Sequence, residues 1–263
     1  MTVEPATSST PALTRAAAIL SVIATQPQRA FGPSELSRKT GIPKSSVFNL
    51  CTEMSRIGFL RRHDRGVRLH HRLAELGNAY LRSLSEIEEF YEACRLKLGN
   101  VTQTVQLTVL GSGLTVVFVA RHEGREPLNL GRATETGRSV PAHCTAAGKA
   151  LLAALNHDSL KELLPRSGRL PGLTTRSVNT AELLETELAD TRQRGYARGF
   201  GEVVRGRNCY AVAVRTPHRT DGLLGISFSF PETPDGKDPP NVAGDLQDFA
   251  LQFAKRIGGA LAF

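Results

Sequence analysis

Three groups of residues have types and spacings suited to chemistry. The first is the run from Pro43 to Leu50, PKSSVFNL, followed by Arg61, Arg62, Arg65 and Arg68. On one helix Lys44, Ser45, Ser46 and Asn49 would offer an ammonium, two hydroxyls and a carboxamide, groups that contact phosphates and base edges. Four arginines between positions 61 and 68 would neutralise a polyanion. Capping and solubility would also account for the serines. Phe48 is open between a thymine methyl and a neighbouring helix. The second group is HCTAAGKA, residues 143–150. A helix starting at Thr145 leaves its first N–H groups unpaired, and the small Ala146, Ala147 and Gly148 keep them open to an anion such as a carboxylate. The same small residues suit close packing of a helix end against a sheet, so both readings stand. The third group is Cys51, Cys94, Cys144 and Cys209, far apart and without a C-x-x-C pair. His143, Cys144 and Glu202 have the functional groups of a thiol nucleophile with a base, and His143, Cys144 and Cys209 those of a zinc site. Loop neighbours rarely face each other, and paired-ligand spacing is missing. Buried free thiols are therefore expected, with no catalytic residue, metal or cofactor.

The elements that must position these groups follow from composition and period. The chain has 263 residues, 40% of them hydrophobic and none Trp, so aliphatic side chains must build its core. No apolar run approaches the roughly 18 residues of a membrane-spanning helix. The first residues lack the basic and apolar regions of a signal peptide, so a cytoplasmic protein without a membrane partner is expected. Residues 1–84 hold 12 Lys or Arg against 5 Asp or Glu, and the remainder 21 against 20, so the net charge of +8 lies almost wholly in the first third. A small domain with such an excess suits nucleic acid.

Residues 1–11 read as a flexible tail. Leu13, Ala16, Ala17, Leu20, Ile23 and Ala24 share one face of a first helix. A short helix follows, which Ser34 can cap, with Leu36 facing in. After the Gly41-Ile42 turn, Pro43 starts a third helix whose buried stripe is Val47, Leu50, Cys51, Met54 and Ile57, closed by Gly58. Two short strands around Asp64-Arg65-Gly66 complete a winged helix-turn-helix over 12–71, with the helix-turn-helix at about 31–50. Double-stranded DNA is the expected partner. A linker helix over 72–84 carries Leu73, Leu76, Tyr80 and Leu84, an apolar seam for a dimer.

The second domain is expected over 85–263. Ser85 and Glu88 form a capping box for a helix burying Ile87, Phe90, Tyr91, Cys94 and Leu98. The period then changes to two. Strands are predicted at VTQTVQLTVL, GLTVVFVARHE, PLNL, CYAVAVRT and LLGISFSF. Helices are predicted at TAAGKALLAAL (capped by Thr145), SLKELLP (capped by Ser159) and TAELLETELADTRQRG (closed by Gly195). An amphipathic helix from Asn241 ends the chain. The class is α+β, with an antiparallel-rich sheet flanked by helices. Ser227 and Ser229 alternate with Phe228 and Phe230 and share one side of that sheet.

Two sets of segments resemble one family. LTRAAAILSVIATQPQRAFGPSELSRKTGIPKSSVFNLCTEMSRIGFLRR is similar to the N-terminal part of IclR-type transcriptional regulators. GRSVPAHCTAAGKALLAAL, LPGLTTRSVNTAELLETELADTRQRGYA and GISFSFP resemble their C-terminal part in the same order. The resemblance implies a winged helix-turn-helix, a linker helix and a GAF/PAS-like effector domain. It further implies a homodimer or homotetramer that regulates a metabolic operon, more often as a repressor. It places a small-molecule effector, a carboxylate by the helix-start argument, at Ala146, Ala147, Gly199, Cys209, Ser227 and Ser229. Two departures stand out. Gly199 replaces an acidic residue that many members carry, and Ala213 replaces a proline. The first predicts a less polar pocket there, suited to a more apolar or aromatic acid. The alternatives are a DNA-binding scaffold without ligand and, least favoured, a thiol enzyme.

Overall fold

The computed structural model describes residues 10–97, 103–124, 128, 134–217, 222–233 and 235–263. Most of the predicted tail, Leu98 and the PLNL segment other than Leu128 lie outside these. The chain forms two compact units, residues 1–83 and 84–263.

In the first unit, helix α1 (Pro11–Ala24) starts at a proline, inside the expected tail, because Pro has no N–H to leave unpaired in a first turn. Its buried centre is Ile19 and Ile23, whereas Leu13 is exposed. The inward face is thus rotated from the predicted one toward the larger Ile19. Helix α2 (Pro33–Thr40) likewise begins at its proline with Gly32 as cap, so Ser34 lies within the helix. It ends on Gly41 at φ 71°, a left-handed conformation that costs a residue without Cβ little. Gly41 N–H donates to Ser37 O (2.9 Å), and the Ser37 hydroxyl donates to Ile42 O (2.6 Å), which holds the turn. Helix α3 (Lys44–Arg56) has Pro43 as its cap and buries Val47, Cys51 and Met54. Leu50 is half-buried, and Ile57 falls after the helix and is exposed. Strands β1 (Leu60–His63) and β2 (Gly66–Leu69) pair antiparallel from Leu60↔Leu69 to His63↔Gly66. Val67 and Phe31 exchange two backbone hydrogen bonds of 3.0 Å, tying the hairpin to the α1–α2 connection. Helix α4 (Arg72–Arg82) is amphipathic yet buries no residue within its unit.

The second unit is three-layered. Its sheet runs β5 (Ser139–Pro141), β4 (Thr115–His122), β3 (Thr104–Leu110), β8 (Leu223–Pro231), β7 (Arg207–Arg215), β6 (Ala197–Phe200), and β9 (Ala260–Leu261) pairs the far end of β7. Every ladder is antiparallel. Helices α5 (Ser85–Lys97) and α9 (Val242–Arg256) cover one face, where Phe90 packs edge-to-face on Phe249 and Phe253 with centroids 6.3 Å apart. Helices α6 (Ala146–Ala154) and α8 (Ala181–Arg194) cover the other, with Ala150, Leu151, Leu184 and Leu188 in its core. Helix α7 (His157–Leu163) follows α6.

Several local expectations are corrected. Ser85 is the first residue of α5, and Ile87 N–H donates to Leu84 O, so Leu84 stands where the capping box required Ser85. Tyr91 is exposed, and Ala93 takes its place beside Phe90 and Cys94. Asn156, not Ser159, caps α7, because its carboxamide accepts the Ser159 N–H at 2.8 Å. The chain does not end as a helix: α9 stops at Arg256 and β9 returns to the sheet. Strands β5 and β6 are too short to show a period of two. The cap at Thr145 and the stop at Gly195 are as predicted, and Thr180 caps α8 through the Leu183 N–H.

Candidate functional site

On α3 the burial of Val47, Cys51 and Met54 turns Lys44, Ser45, Phe48 and Asn49 to solvent, with Ser46 at the margin. Phe48 is 56% exposed, so it does not pack within its unit. A phenyl ring left in water beside a lysine and a carboxamide suits an external apolar contact. The hairpin divides its arginines. Arg61 and Arg68 are directly opposite on one face. Like charges so placed repel and gain from a polyanion. Arg62 is on the other face, shared with the buried Leu60 and Val67, and its guanidinium donates to Thr52 Oγ1 of α3 at 3.0 Å. Arg65 occupies the turn and is exposed.

In the second unit the register of the sheet brings Gly199, Cys209 and Ser229 into one row, with Ser227 and Gln106 paired in the next. The N-terminus of α6 sits over these rows. Together they enclose a cavity of about 50 Å³, lined by Ala146, Ala147, Gly199, Cys209, Ser227 and Ser229. Gln106, Phe118, Thr134, Cys144, Thr145 and the 202–208 segment complete its walls. Thr145 Oγ1 accepts the Gly148 N–H at 2.8 Å, which leaves the N–H groups of Ala146 and Ala147 without an intrahelical acceptor. The Ser229 hydroxyl lies 3.4 Å from Gln106 Oε1 and 3.5 Å from Cys209 Sγ, either of which can accept its one hydrogen, and Gln106 Nε2 donates to Thr134 O (3.0 Å).

Behind this wall Lys149, with a side chain 2% exposed, donates to Glu202 Oε1 at 2.7 Å and lies 3.4 Å from Glu187 Oε2. Burial pushes the Glu202 carboxyl up from its usual range, against the pull of the Lys149 ammonium. A Cβ built on Gly199 would lie 3.4 Å from Ala146 N and 3.7 Å from Glu202 Oε1. Helix start and carboxylate therefore face each other across a glycine that leaves their gap open.

His143 and Cys144 do not pair. His143 Nε2 is 3.0 Å from the Pro171 carbonyl oxygen, and Cys144 Sγ is 3.8 Å from the same atom. Burial raises the Cys144 and Cys209 thiols and lowers the His143 imidazole, so neutral forms prevail. Among the described residues no group of three or more His, Cys, Asp or Glu is placed to hold a metal.

Residues 12–64 match the IclR helix-turn-helix domain, and residues 91–254 match the family described as bacterial transcriptional regulator IclR C-terminal. The chain belongs to the IclR family of DNA-binding transcriptional regulators. It is 28% identical over 232 residues to the transcriptional repressor IclR of Escherichia coli (strain K12), covering 86% of this chain and 82% of that one. An IclR family transcriptional regulator from Brucella abortus shares the fold at a TM-score of 0.76 and 21% identity, covering 98% and 95% of the two chains. An IclR homolog from Microbacterium hydrocarbonoxydans, complexed with 4-hydroxybenzoate, has a TM-score of 0.70 at 23% identity, covering 94% and 99%.

Within this IclR-family chain all six residues expected at the effector site line one cavity. The lining at Gly199 is mainly apolar, as expected, with the Glu202 carboxylate beside it held by Lys149. Ala213 is buried in β7 and does not line the cavity. Sequence reasoning missed Lys149, Gln106, Thr134 and Asn208. The only signal for Lys149 was a lysine inside an Ala-rich apolar run, a position that demands a buried partner. Nothing local marked the other three: Gln106 and Asn208 come from separate strands, and Thr134 from a turn whose carbonyl accepts from Gln106.

Proposed function

We propose that the chain regulates transcription by binding a duplex operator through its N-terminal domain and a small organic acid through its C-terminal one. Residues 12–71 form the DNA-binding domain, 72–84 the linker and 85–263 the effector domain. Lys44, Ser45, Ser46, Phe48 and Asn49 enter the major groove, and Arg61, Arg62, Arg65 and Arg68 contact the backbone or minor groove. Ala146, Ala147, Gly199, Cys209, Ser227 and Ser229 hold the effector. The repressor named among its relatives supports repression, and the acid held by the Microbacterium homolog supports an acidic effector. The reading places the protein in the cytoplasm with its DNA and gives it no catalytic role. The single observation that carries the effector site is the convergence of those six residues under an open helix N-terminus.

One such domain covers one half-site, so the protein acts as a homodimer or homotetramer. Leu76 and Tyr80, exposed at 51% and 45% on α4, supply an uncovered apolar face for this assembly. Leu73 is half-buried, and Leu84 is buried in the second unit and drops out of the predicted seam.

Mapping the genomic sites the protein occupies supplies the duplex for testing. Short and aromatic carboxylic acids are then screened for a rise in melting temperature and a change in affinity for that duplex. An acid held at 100 times its Kd adds about 2.7 kcal/mol to native stability. If no acid moves either quantity while the duplex still binds, the effector reading falls and the DNA reading stands.

The wing is tested separately. Replacing both Arg61 and Arg62 by Ala is expected to weaken duplex binding about 10- to 100-fold at low salt and to flatten the slope of log K against log salt by about 2. An unchanged affinity and slope would remove these residues from the interface.

A further inference from the structure

Lys44, Phe48 and Thr52 follow one another at i, i+4 and i+8, so they form one line along α3, and Ser45 and Asn49 lie on the line beside it. All five are exposed. At one end of the first line the Lys44 ammonium fits a phosphate. At the other the Thr52 hydroxyl oxygen accepts from the wing's Arg62 at 3.0 Å, so the hairpin stands beside this line. Between them is a phenyl ring, 56% exposed. Among the described residues of α3 it is the one large apolar side chain left in water. A phenyl ring cannot answer the donors and acceptors of a base edge. Set against them, it removes their water and returns no hydrogen bond, which costs free energy. The major-groove edges present one apolar group that answers it, the C5-methyl of thymine. Ring against methyl takes apolar surface out of water on both sides.

Resting on the reading of α3 as the helix in the major groove, we infer that Phe48 is a specificity-determining residue that reads a C5-methyl group, so that each half-site carries a thymine at the base pair under it. The preference has two parts. Contact with the methyl favours the pair that carries one, and the loss of water from polar edges disfavours the others. Modified DNA obeys the same rule. 5-Methylcytosine carries a methyl at the same ring position, so it recovers part of what cytosine loses there. Asn49, on the adjacent line, both donates and accepts, and so suits the edge of a neighbouring pair. A second copy of this chain is the other apolar partner on offer for the ring. It would bring the same excess of positive charge to this surface, where Arg61 and Arg68 already face each other, whereas a duplex brings the opposite charge.

Selection of duplexes from a random-sequence pool by the full-length protein supplies the probe. In the selected half-site each thymine is then replaced in turn by deoxyuridine, which removes only the methyl. One position per half-site is expected to respond, its affinity falling about fourfold, the worth of one buried methyl group. Cytosine at that position should cost more, and 5-methylcytosine should recover about fourfold over cytosine. In Phe48→Ala both responses should largely vanish, while the slope of log K against log salt is kept, because no charge is lost. Phe48→Leu retains an apolar contact and should retain part of the response. Asn49→Ala is expected to weaken binding and relax a different base pair, with the response to deoxyuridine kept. A half-site in which no thymine responds overturns the inference and leaves the DNA reading intact. So does an undiminished response in Phe48→Ala, or a flattened salt slope or altered oligomeric state in that variant with the response kept. If no duplex is selected at all, the inference falls together with the reading of α3 on which it rests.

Discussion

Lys149→Met is expected to destabilise the protein by about 3–5 kcal/mol, since removing one partner of a buried ion pair leaves the other uncompensated. Lys149 and Glu202 are nearly sealed from solvent, whereas Glu187 is 39% exposed and can turn to water. Glu202 is therefore the orphaned charge. The pH dependence identifies it. Burial already holds the Glu202 carboxyl above its ordinary value, so its folded form favours the proton. That contribution is fully present below the unfolded-state pKa and is lost as pH rises through the higher folded one. Without the opposing pull of Lys149 the folded value rises further, and the window extends upward. The stability gap between wild type and variant should be widest at alkaline pH and narrow as pH falls through the raised folded-state value, where Glu202 takes up a proton. Urea denaturation at several pH values measures it. A gap that is small, or large but constant with pH, would mean that Glu202 is not left as a buried charge.

Gly148→Ala is expected to destabilise the protein by roughly 1–3 kcal/mol and to abolish acid binding. Helix propensity alone argues the opposite, since Ala is favoured over Gly inside a helix by about 1 kcal/mol. The structure decides the sign. A Cβ on Gly148 would lie 2.1 Å from Ala142 O and 2.6 Å from Ala142 C, backbone atoms with no rotamer to change. To admit it, the start of α6 must move off the 142–144 turn, which disturbs the Thr145 cap and the open N–H groups together. Gly77 in α4 is the control, because a Cβ there meets nothing within 4 Å. Gly77→Ala should stabilise by up to about 1 kcal/mol. Thermal melts and titration with a bound acid compare the two variants. Stabilisation by both would show that α6 has slack at its start and that the close approach is not obligatory.

Gly148 also resolves the ambiguity in HCTAAGKA. Close packing holds at Gly148, and the proposed anion site needs only Ala146 and Ala147. Gly148 is small because backbone passes against it, while Ala146 and Ala147 are small and border open space. Residue type cannot separate these cases, because a missing side chain looks the same whether atoms or a cavity replace it. Phe48 was undecidable for a related reason, as its fate depends on the rotation of α3 set by Val47, Cys51 and Met54.

Local and periodic information was enough for much of this protein. The six residues proposed for the effector come from family resemblance. The basic first third, the helix-turn-helix with its wing, the antiparallel strands and the cap at Thr145 were all legible in the chain itself. Each depends on neighbours within a few residues or on a charge count, and such effects survive without knowledge of the fold. Tertiary structure alone decided the Lys149–Glu202 pair, which spans 53 residues, and the gathering of Gln106, Thr134, Asn208 and Ser227 from separate elements. Their cost when unpaired, and so their meaning for a ligand, arises from burial, and burial is a property of the packed sheet and helix rather than of any one segment.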